Sequence, residues 1–363
     1  MKIINCKSTS FSMGNINDRT RKMICSRHVL VFGEDVQERI SDLTIGVVST
    51  GGLGTGIIEQ LMRLFPGKLI YIDNDVVELS NLNRLVGATI IDSRLNTRKV
   101  DLASRNILAF NPHQEIIPIN GDFLEKENQE QFRQCDFIFG ASDSDAVRIA
   151  TNRLCLAHGI AYLDCGVGAV VKDGQLQAAG GQVIRILPDS GFCLHCSGLF
   201  NVEHAMDEFL SEDERKRQEN QGYIRGTHIA APQVYALNMM VAAWAVWAFT
   251  RMVSGEKLSF DGIAIDAKGL KTYTWKESAQ EIHDCPTCGR NGIVFAGDDV
   301  DLLCRDESEV DRGEIETENP TNNDDSERVS VQSDRDMPFP LHQGIIIGET
   351  MDNPFCLRLF SLM

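Results

Sequence analysis

The sequence predicts an α/β fold, a doubly wound, mostly parallel Rossmann-like sheet with an antiparallel hairpin region attached. Three observations carry this. Strand-length apolar runs alternate with helix-length runs between residues 44 and 164. A glycine turn of Gly51, Gly52 and Gly54 separates the first strand (Ile45, Val47, Val48) from the next helix, so that backbone can approach a phosphate closely. Asp73 then closes the second strand about 20 residues after the turn, where an acidic side chain grips ribose hydroxyls.

The remaining elements follow in order. Residues 19–40 read as one lead-in helix and residues 94–110 as another. Residues 115–119 and 135–140 are strand-like, 145–158 helical, and 161–164 a further strand. From 167 to 187 the pattern becomes that of a hairpin, with Asp173-Gly174 as its turn and Gly180-Gly181 as a bend. Residues 197–225 are highly charged and read as a mobile crossover, and 232–253 as a buried helix opened by Pro232, a good first-turn residue. The chain therefore divides into a helical lead-in (1–40), a nucleotide-binding half (41–165), a second half for the substrate (166–295), an acidic linker (296–340) and a short apolar tail (341–363).

Composition narrows the function. The 363 residues carry a net charge of -17, and 43% of them are hydrophobic, enough for a sizeable core. Residues 298–327 hold 13 acidic and 2 basic side chains, which is -11 and leaves -6 for the rest. Such a run is expected to be solvated and disordered, and the acidic balance argues against nucleic acid as a partner. The polar N-terminus has no apolar leader segment. The apolar run at 232–253 is interrupted by Gln233 and Asn238, which favours a core helix over a membrane span. Eleven cysteines without a disulfide-type spacing suit a reducing, cytoplasmic setting.

Four of those cysteines form a pattern. Cys193-Leu194-His195-Cys196 and Cys285-Pro286-Thr287-Cys288 are two CxxC knuckles. Four thiolates surround Zn²⁺ tetrahedrally with no open position, so this zinc would be structural, stapling the crossover to the C-terminal part. His195 reads as a bystander. Redox chemistry is the lesser alternative, since neither pair opens a thioredoxin-type helix.

The run STGGLG (residues 49–54) followed by DNDVVELSNLNR (residues 73–84) resembles the ThiF/MoeB/ubiquitin-activating enzyme family, whose pattern is GxGGxG and then DxDxVxxSNLxRQ. The resemblance spans residues 19–290. Ser49 replaces the first turn glycine and Leu85 the glutamine. A serine is expected to need an ordinary φ there, which would reshape the turn slightly. The resemblance implies a site for ATP: Gly51, Gly52 and Gly54 under the phosphates, Asp73 on the ribose with Asp75 beside it, and Asn81, Arg84 and Lys99 on the phosphates. Lys99 stands in NTRK, with Asn96 in place of a family glycine. Asp143, in SDSDAVR, matches the aspartate that holds Mg²⁺; Ser144 replaces the family Asn and Arg148 is kept. If Asp143 is the magnesium ligand, Asp145 is left to cap the following helix. Arg27, in SRH ahead of FGE, matches an arginine that reaches into the partner's site in bacterial homodimers of the family.

The activity implied is ATP-dependent adenylation of the C-terminal carboxylate of a small ubiquitin-like or sulfur-carrier protein ending in glycine, whose tail would pass beneath the crossover near residues 227–232. A microcin-type peptide is the alternative substrate. Relatives that carry the acyl group on their own thiol usually place that cysteine in the crossover, and residues 197–284 contain none. Cys165 reads as a core residue, whereas Cys304 and Cys356 fall in tail segments, where a mobile arm could carry them to the site. Two other classes compete: an NAD-dependent oxidoreductase, which leaves SNLNR, Lys99, Asp143 and the knuckles unexplained, and a binding module without activity, against which the retained Arg27, Arg84, Lys99 and Asp143 stand.

Overall fold

The computed structural model describes residues 18–200, 202–210, 233–276 and 285–305. Helices α1 (Asp18–Phe32) and α2 (Glu34–Asp42) replace the single lead-in helix, because Gly33 between them has φ 92°, which no helix continues through. Strand β1 (Thr44–Val48) is buried from Ile45 onward, as a parallel strand covered on both faces must be. Helix α3 (Gly52–Leu61) returns to β2 (Lys68–Ile72), which pairs with β1 in parallel, Thr44 opposite Lys68 and Val48 opposite Ile72.

The helix expected over 94–110 begins only at Lys99, and a separate short helix ends at Arg94. Helix α4 (Ile90–Arg94) opens with a Thr89–Asp92 capping box, and α5 (Lys99–Phe110) follows after Asn96, whose φ is 49°. Asparagine tolerates that left-handed geometry, which explains its standing in for a glycine. Strand β3 (Glu115–Ile119) joins β2; helix α6 (Lys126–Gln131) leads to β4 (Phe137–Gly140), which returns beside β1. Helix α7 (Asp145–His158) stops at Gly159, φ 71°.

Strand β5 (Ala161–Lys172) is parallel to β4 as far as Asp164 and antiparallel to β6 (Gln175–Ile186) along its length. The strand expected to end at 164 thus runs on into the hairpin, turning at Asp173 and Gly174 (φ 53° and 72°). No bend occurs at Gly180-Gly181: β6 passes straight through. These glycines make room instead, since a Cβ would lie 2.0 Å from the Ile265 oxygen at Gly180 and 2.4 Å from Val241 Cγ2 at Gly181.

Helices α8 (Leu194–Ser197) and α9 (Val202–Phe209) occupy the start of the expected crossover, and α9 packs on α7. This part is therefore helical and docked; residues 211–232, with the expected tail path at 227–232, lie outside the described residues. Helix α10 (Tyr235–Val253) packs on α3, β5 and β6 through Leu237, Val241, Ala245 and Phe249. The expected buried helix is not buried all round, since Met240, Trp244 and Trp247 are partly exposed. Its length and apolarity would suit a membrane span, but half of it is buried inside the fold. Strands β7 (Gly262–Asp266) and β8 (Lys271–Trp275) complete the order β3-β2-β1-β4-β5-β6-β7-β8.

A core lies on each face of the sheet. One joins β1, β2 and β4 to α3, α5 and α10, with Phe249 stacked edge-on to Phe137 and Phe139 at 4.9 and 5.6 Å. Each such fully buried ring contributes about 1.5–3 kcal/mol. The other core joins Val48, Ile70 and Ile138 to α7, α8 and residues 285–305. Residues 306–363, with most of the acidic linker, the apolar tail and Cys356, lie outside the described residues.

Candidate functional site

Strand order reverses between β1 and β4, and open α/β sheets bind ligands in the crevice beyond the strand ends at such a point. The glycine turn lies there. Ser49 does not keep an ordinary φ: it sits at 75°, the region glycine favours. The strain, about 1–2 kcal/mol for a residue with a Cβ, is offset by its hydroxyl, which donates to Asp73 Oδ2 at 3.2 Å and accepts from the Gly51 N–H at 3.4 Å. Gly54 has no alternative, because a Cβ would lie 1.9 Å from the Ser49 carbonyl oxygen.

Helix α3 begins buried, and the N–H groups of Gly52, Leu53 and Gly54 have no acceptor among the described residues; the first helical bond runs from Thr55 to the Gly51 oxygen at 2.9 Å. A buried helix start left open at its positive dipole end is a ready anion site, and the residues present fit a nucleotide phosphate.

The predicted residues gather around it unequally. Asp73 is nearly buried; its Oδ2 accepts from the Thr50 N–H at 2.7 Å and its Oδ1 from the Asp75 N–H at 3.0 Å. Lys99, at the start of α5, places Nζ 2.5 Å from Asp75 Oδ2 and 3.7 Å from Asp73 Oδ1. Arg84 stands over the turn, with Cγ and Cβ 3.1 and 3.2 Å from where a Cβ on Gly52 would be, and its Nη1 donates to the Ser80 carbonyl at 2.8 Å. Asn81 is buried and braces its loop, accepting from the Glu78 N–H and donating to Ser80 Oγ at 3.2 Å. Asp143 is exposed on the β4–α7 turn, and Arg27 is exposed on α1; neither has a polar partner among the described residues.

The α7 start differs from expectation. Ser144, not Asp145, caps the helix, accepting from the Val147 N–H at 3.2 Å. Glu208 of α9 accepts from Ser144 Oγ at 2.7 Å and from the Ala146 N–H at 2.9 Å, which latches the crossover to α7. Arg148 turns inward onto the buried Asp164, Nε to Oδ1 at 3.2 Å and Nη2 to Oδ2 at 2.8 Å, and also pairs with Asp145 at 2.9 Å. Burial works against the Arg148 charge, but Asp164 and then Asp145 hold its pKa above the usual value. Tyr162 donates to Asp164 Oδ1 at 2.7 Å, and burial, then Asp164, push its phenol well up.

The four knuckle cysteines converge, their sulfurs all within 4.8 Å of one another. Three separations, 3.8 Å for Cys193–Cys196, 3.9 Å for Cys193–Cys285 and 3.3 Å for Cys196–Cys288, bracket the edge of about 3.8 Å of a ZnS₄ tetrahedron. The set fits a closed, structural zinc. His195 turns aside, its ring edge-on to Phe200 at 6.1 Å and its Nδ1 3.5 Å from Thr287 Oγ1. Cys165 is a core residue whose thiol burial pushes well up. Cys304 is not on a swinging arm: Gln129 Nε2 donates to the neighbouring Leu303 carbonyl at 2.7 Å, and Arg305 pairs with Asp122 at 2.6 Å.

Sequence reasoning missed one residue. Asn238, on the first turn of α10, has no exposed surface, and neither amide atom has a hydrogen-bond partner among the described residues. Each unpaired buried group costs about 1–3 kcal/mol. Its signal was available as a polar residue in an apolar helix, but it served only to disfavour a membrane span.

The fold and the glycine turn thus define a nucleotide-binding α/β protein with a four-cysteine metal site. The ThiF family model matches residues 25–288, and the chain belongs to that family. It is 30% identical over 181 residues to the SAMP-activating enzyme E1 of Haloferax volcanii, covering 49% of this chain and 63% of the relative. It is 32% identical over 149 residues to the tRNA threonylcarbamoyladenosine dehydratase of Bacillus subtilis (40% and 57% covered). With ubiquitin-like modifier-activating enzyme 5 of Branchiostoma floridae it shares 28% over 204 residues (53% and 47%). The chain thus spans less than two-thirds of the length of these relatives. Among solved structures, the microcin C7 biosynthetic enzyme MccB in complex with N-formylated MccA shares the fold, with TM-score 0.57, 18% identity, and 76% of this chain and 77% of that one covered. E. coli MccB with ATP gives TM-score 0.54 and 18% identity, covering 73% and 74%.

Proposed function

We propose that this chain uses ATP to adenylate the C-terminal carboxylate of a small protein. A carboxylate oxygen bonds to the α-phosphorus, the bond from that phosphorus to the bridging oxygen of the β-phosphate breaks, and pyrophosphate leaves. No proton need move, so the protein's work is alignment and charge compensation. The observation that carries this reading is the buried start of α3, whose first three N–H groups have no acceptor among the described residues, with the Arg84 stem against Gly52 and its guanidinium on the Ser80 carbonyl, from which it would turn onto the phosphate. A dinucleotide oxidoreductase leaves the set of SNLNR, Lys99, Asp143 and the cysteine knuckles unexplained. Asp73 would take the ribose, and Lys99 would exchange its Asp75 partner for phosphate oxygens. Asp143, open to solvent, would help hold Mg²⁺, which supplies charge neutralisation when bound.

The substrate we favour is a ubiquitin-like or sulfur-carrier protein ending in glycine, supported by the relatives that activate SAMP and ubiquitin-like modifiers. The chain would act in the cytoplasm as a homodimer, Arg27 entering the partner's site, without nucleic acid or membrane. Exposed apolar side chains beside Arg27 support this: Met23, Leu30 and Val31 on α1, and Trp247, whose ring meets Phe32 at 5.5 Å. The acyl group would leave as the adenylate without a thioester on this chain, in keeping with buried Cys165 and anchored Cys304.

ATP–pyrophosphate exchange tests the reading, using a panel of glycine-terminated carriers and a microcin-type peptide. Exchange with a carrier supports it; exchange with the peptide alone transfers the activity to peptide modification. Nicotinamide reduction without exchange would refute it. A reductant-sensitive carrier adduct on denaturing gels would overturn the absence of a thioester.

A further inference from the structure

Asn238 is placed for more than packing. Its Nδ2 stands 2.3 Å from the point a Cβ on Gly52 would occupy, and Arg84 Cγ approaches the same point to 3.1 Å. Asn238, Arg84 and Gly52 therefore line one corner at the start of α3, beside the unpaired N–H groups. Asn83 Nδ2 donates to the Gln233 carbonyl at 3.2 Å, tying the same loop to the residues just ahead of α10. Thr50 Oγ1, just before the glycines, is likewise buried and without a partner among the described residues. Roughly nine in ten buried polar groups have a partner, so two orphans flanking one anion seat point to a ligand that supplies what they lack.

We propose that Asn238 is a ligand of the nucleotide's α-phosphate, its Nδ2 donating to a non-bridging oxygen. This rests on the adenylation reading and adds a residue to it. As the carboxylate bonds to the α-phosphorus and the bond to the departing pyrophosphate lengthens, charge grows on the non-bridging oxygens. A donor already fixed in a dry site meets that charge without reorganising. A neutral amide suits the position: a second cation here would be desolvated and repelled by Arg84, whereas an amide is buried at lower cost. The unpaired Nδ2 of the free protein follows, since that donor is held for a phosphate oxygen.

The test compares AMP with adenosine, which differ only by that phosphate, in calorimetric titrations of the full-length protein and Asn238→Leu. Leucine fills a similar volume and removes both unpaired atoms, so the variant is expected to melt no lower than wild type. AMP should bind about 10- to 100-fold more weakly to the variant, the loss of one hydrogen bond to a charged group, while adenosine binds as before. Should Asn238→Leu fail to fold, Asn238→Ala, which only removes atoms, is titrated in its place with the same expectation for AMP and adenosine. Equal AMP affinity in variant and wild type overturns the proposal, as does an equal loss for adenosine, which would make Asn238 a merely structural residue. If wild type bound neither compound, the nucleotide reading would fail, and the proposal with it. If wild type bound AMP but exchanged no pyrophosphate with any carrier, adenylation would fail while the Asn238 contact stood or fell on its own titration.

Discussion

Arg148 carries the strongest stability prediction. Its guanidinium makes two bonds, 3.2 and 2.8 Å, to Asp164, which has no exposed surface, and the only other side chain bonded to that carboxylate among the described residues is Tyr162. Arg148→Met removes the cation and leaves a buried carboxylate with one hydroxyl. Breaking one side of a buried pair costs about 3–5 kcal/mol, and at about 2–4 °C per kcal/mol for a domain of this size class the melting temperature should fall by roughly 6–20 °C. Adding Asp164→Leu to Arg148→Met should recover most of the loss, because an apolar replacement of both partners leaves no charge to solvate. Urea unfolding and calorimetry on wild type, both single variants and the double variant give the coupling directly. An Arg148→Met protein within about 1 kcal/mol of wild type, outside the range expected for a broken buried pair, would falsify the reasoning, since the pair would then be hydrated or loosely held.

Cys193→Ser or Cys288→Ser should release one zinc per chain by elemental analysis and lower the melting temperature before exchange activity is touched, because metal bound only to the folded state stabilises it directly; a stable, metal-free wild type refutes this. Arg27→Ala should reduce pyrophosphate exchange by roughly 10²-fold while sedimentation still shows a dimer, and mixing it with an Asp73→Ala chain should restore part of the rate through one intact composite site. For Asp92, the Arg105 hydrogen bond first, and then Thr89, hold the carboxyl well below its usual range. Its folded pKa lies below its unfolded one, so it stabilises the fold above about pH 4 and ceases to as pH falls through the folded value. Asp92→Asn should therefore cost about 1 kcal/mol at neutral pH, discounted for the half-exposed Arg105, and the gap in urea midpoint should narrow below pH 4.

The parallel half of the fold was legible because its strands read as short apolar runs and Gly51, Gly52 and Gly54 separate the first of them from its helix, whereas Gly33, read through as helix, splits α1 from α2. What was not legible depended on contacts distant in sequence. Gly180 and Gly181 look like a bend locally, yet they exist for Ile265 and Val241, which pack on them from β7 and α10. Ser49 broke the glycine rule because Asp73, 24 positions on, holds its hydroxyl. The expected end of β5 at 164 is only the point where it parts from β4; its pairing with β6 already runs from Tyr162 and continues to Lys172, so the strand is uninterrupted. Around the α3 start, the glycines, Asp73 and Arg84 stood out by their spacing, as did the cysteine knuckles further along the chain. Asn238 showed only as a polar residue in an apolar helix, because what marks it, two amide atoms without a partner among the described residues, appears only in the fold.

The docking of residues 285–305 bears on how the molecule is assembled during synthesis. The sheet face under α7 is closed by Ile293, Val294, Leu302 and Leu303 and by the zinc knuckle at Cys285 and Cys288. Phe295 also donates its N–H to the Leu156 carbonyl at 3.0 Å. A chain still emerging from the ribosome can pair β1 to β4 and bury the α3 face only in part, because α10 arrives about 100 residues after β4. The opposite face waits longer still, for a segment near position 300. Phe192, Leu154 and the thiols of Cys193 and Cys196 lie in the core that this segment completes, so a four-thiolate metal site can close only after Cys285 and Cys288 are made, together with the second face of the sheet.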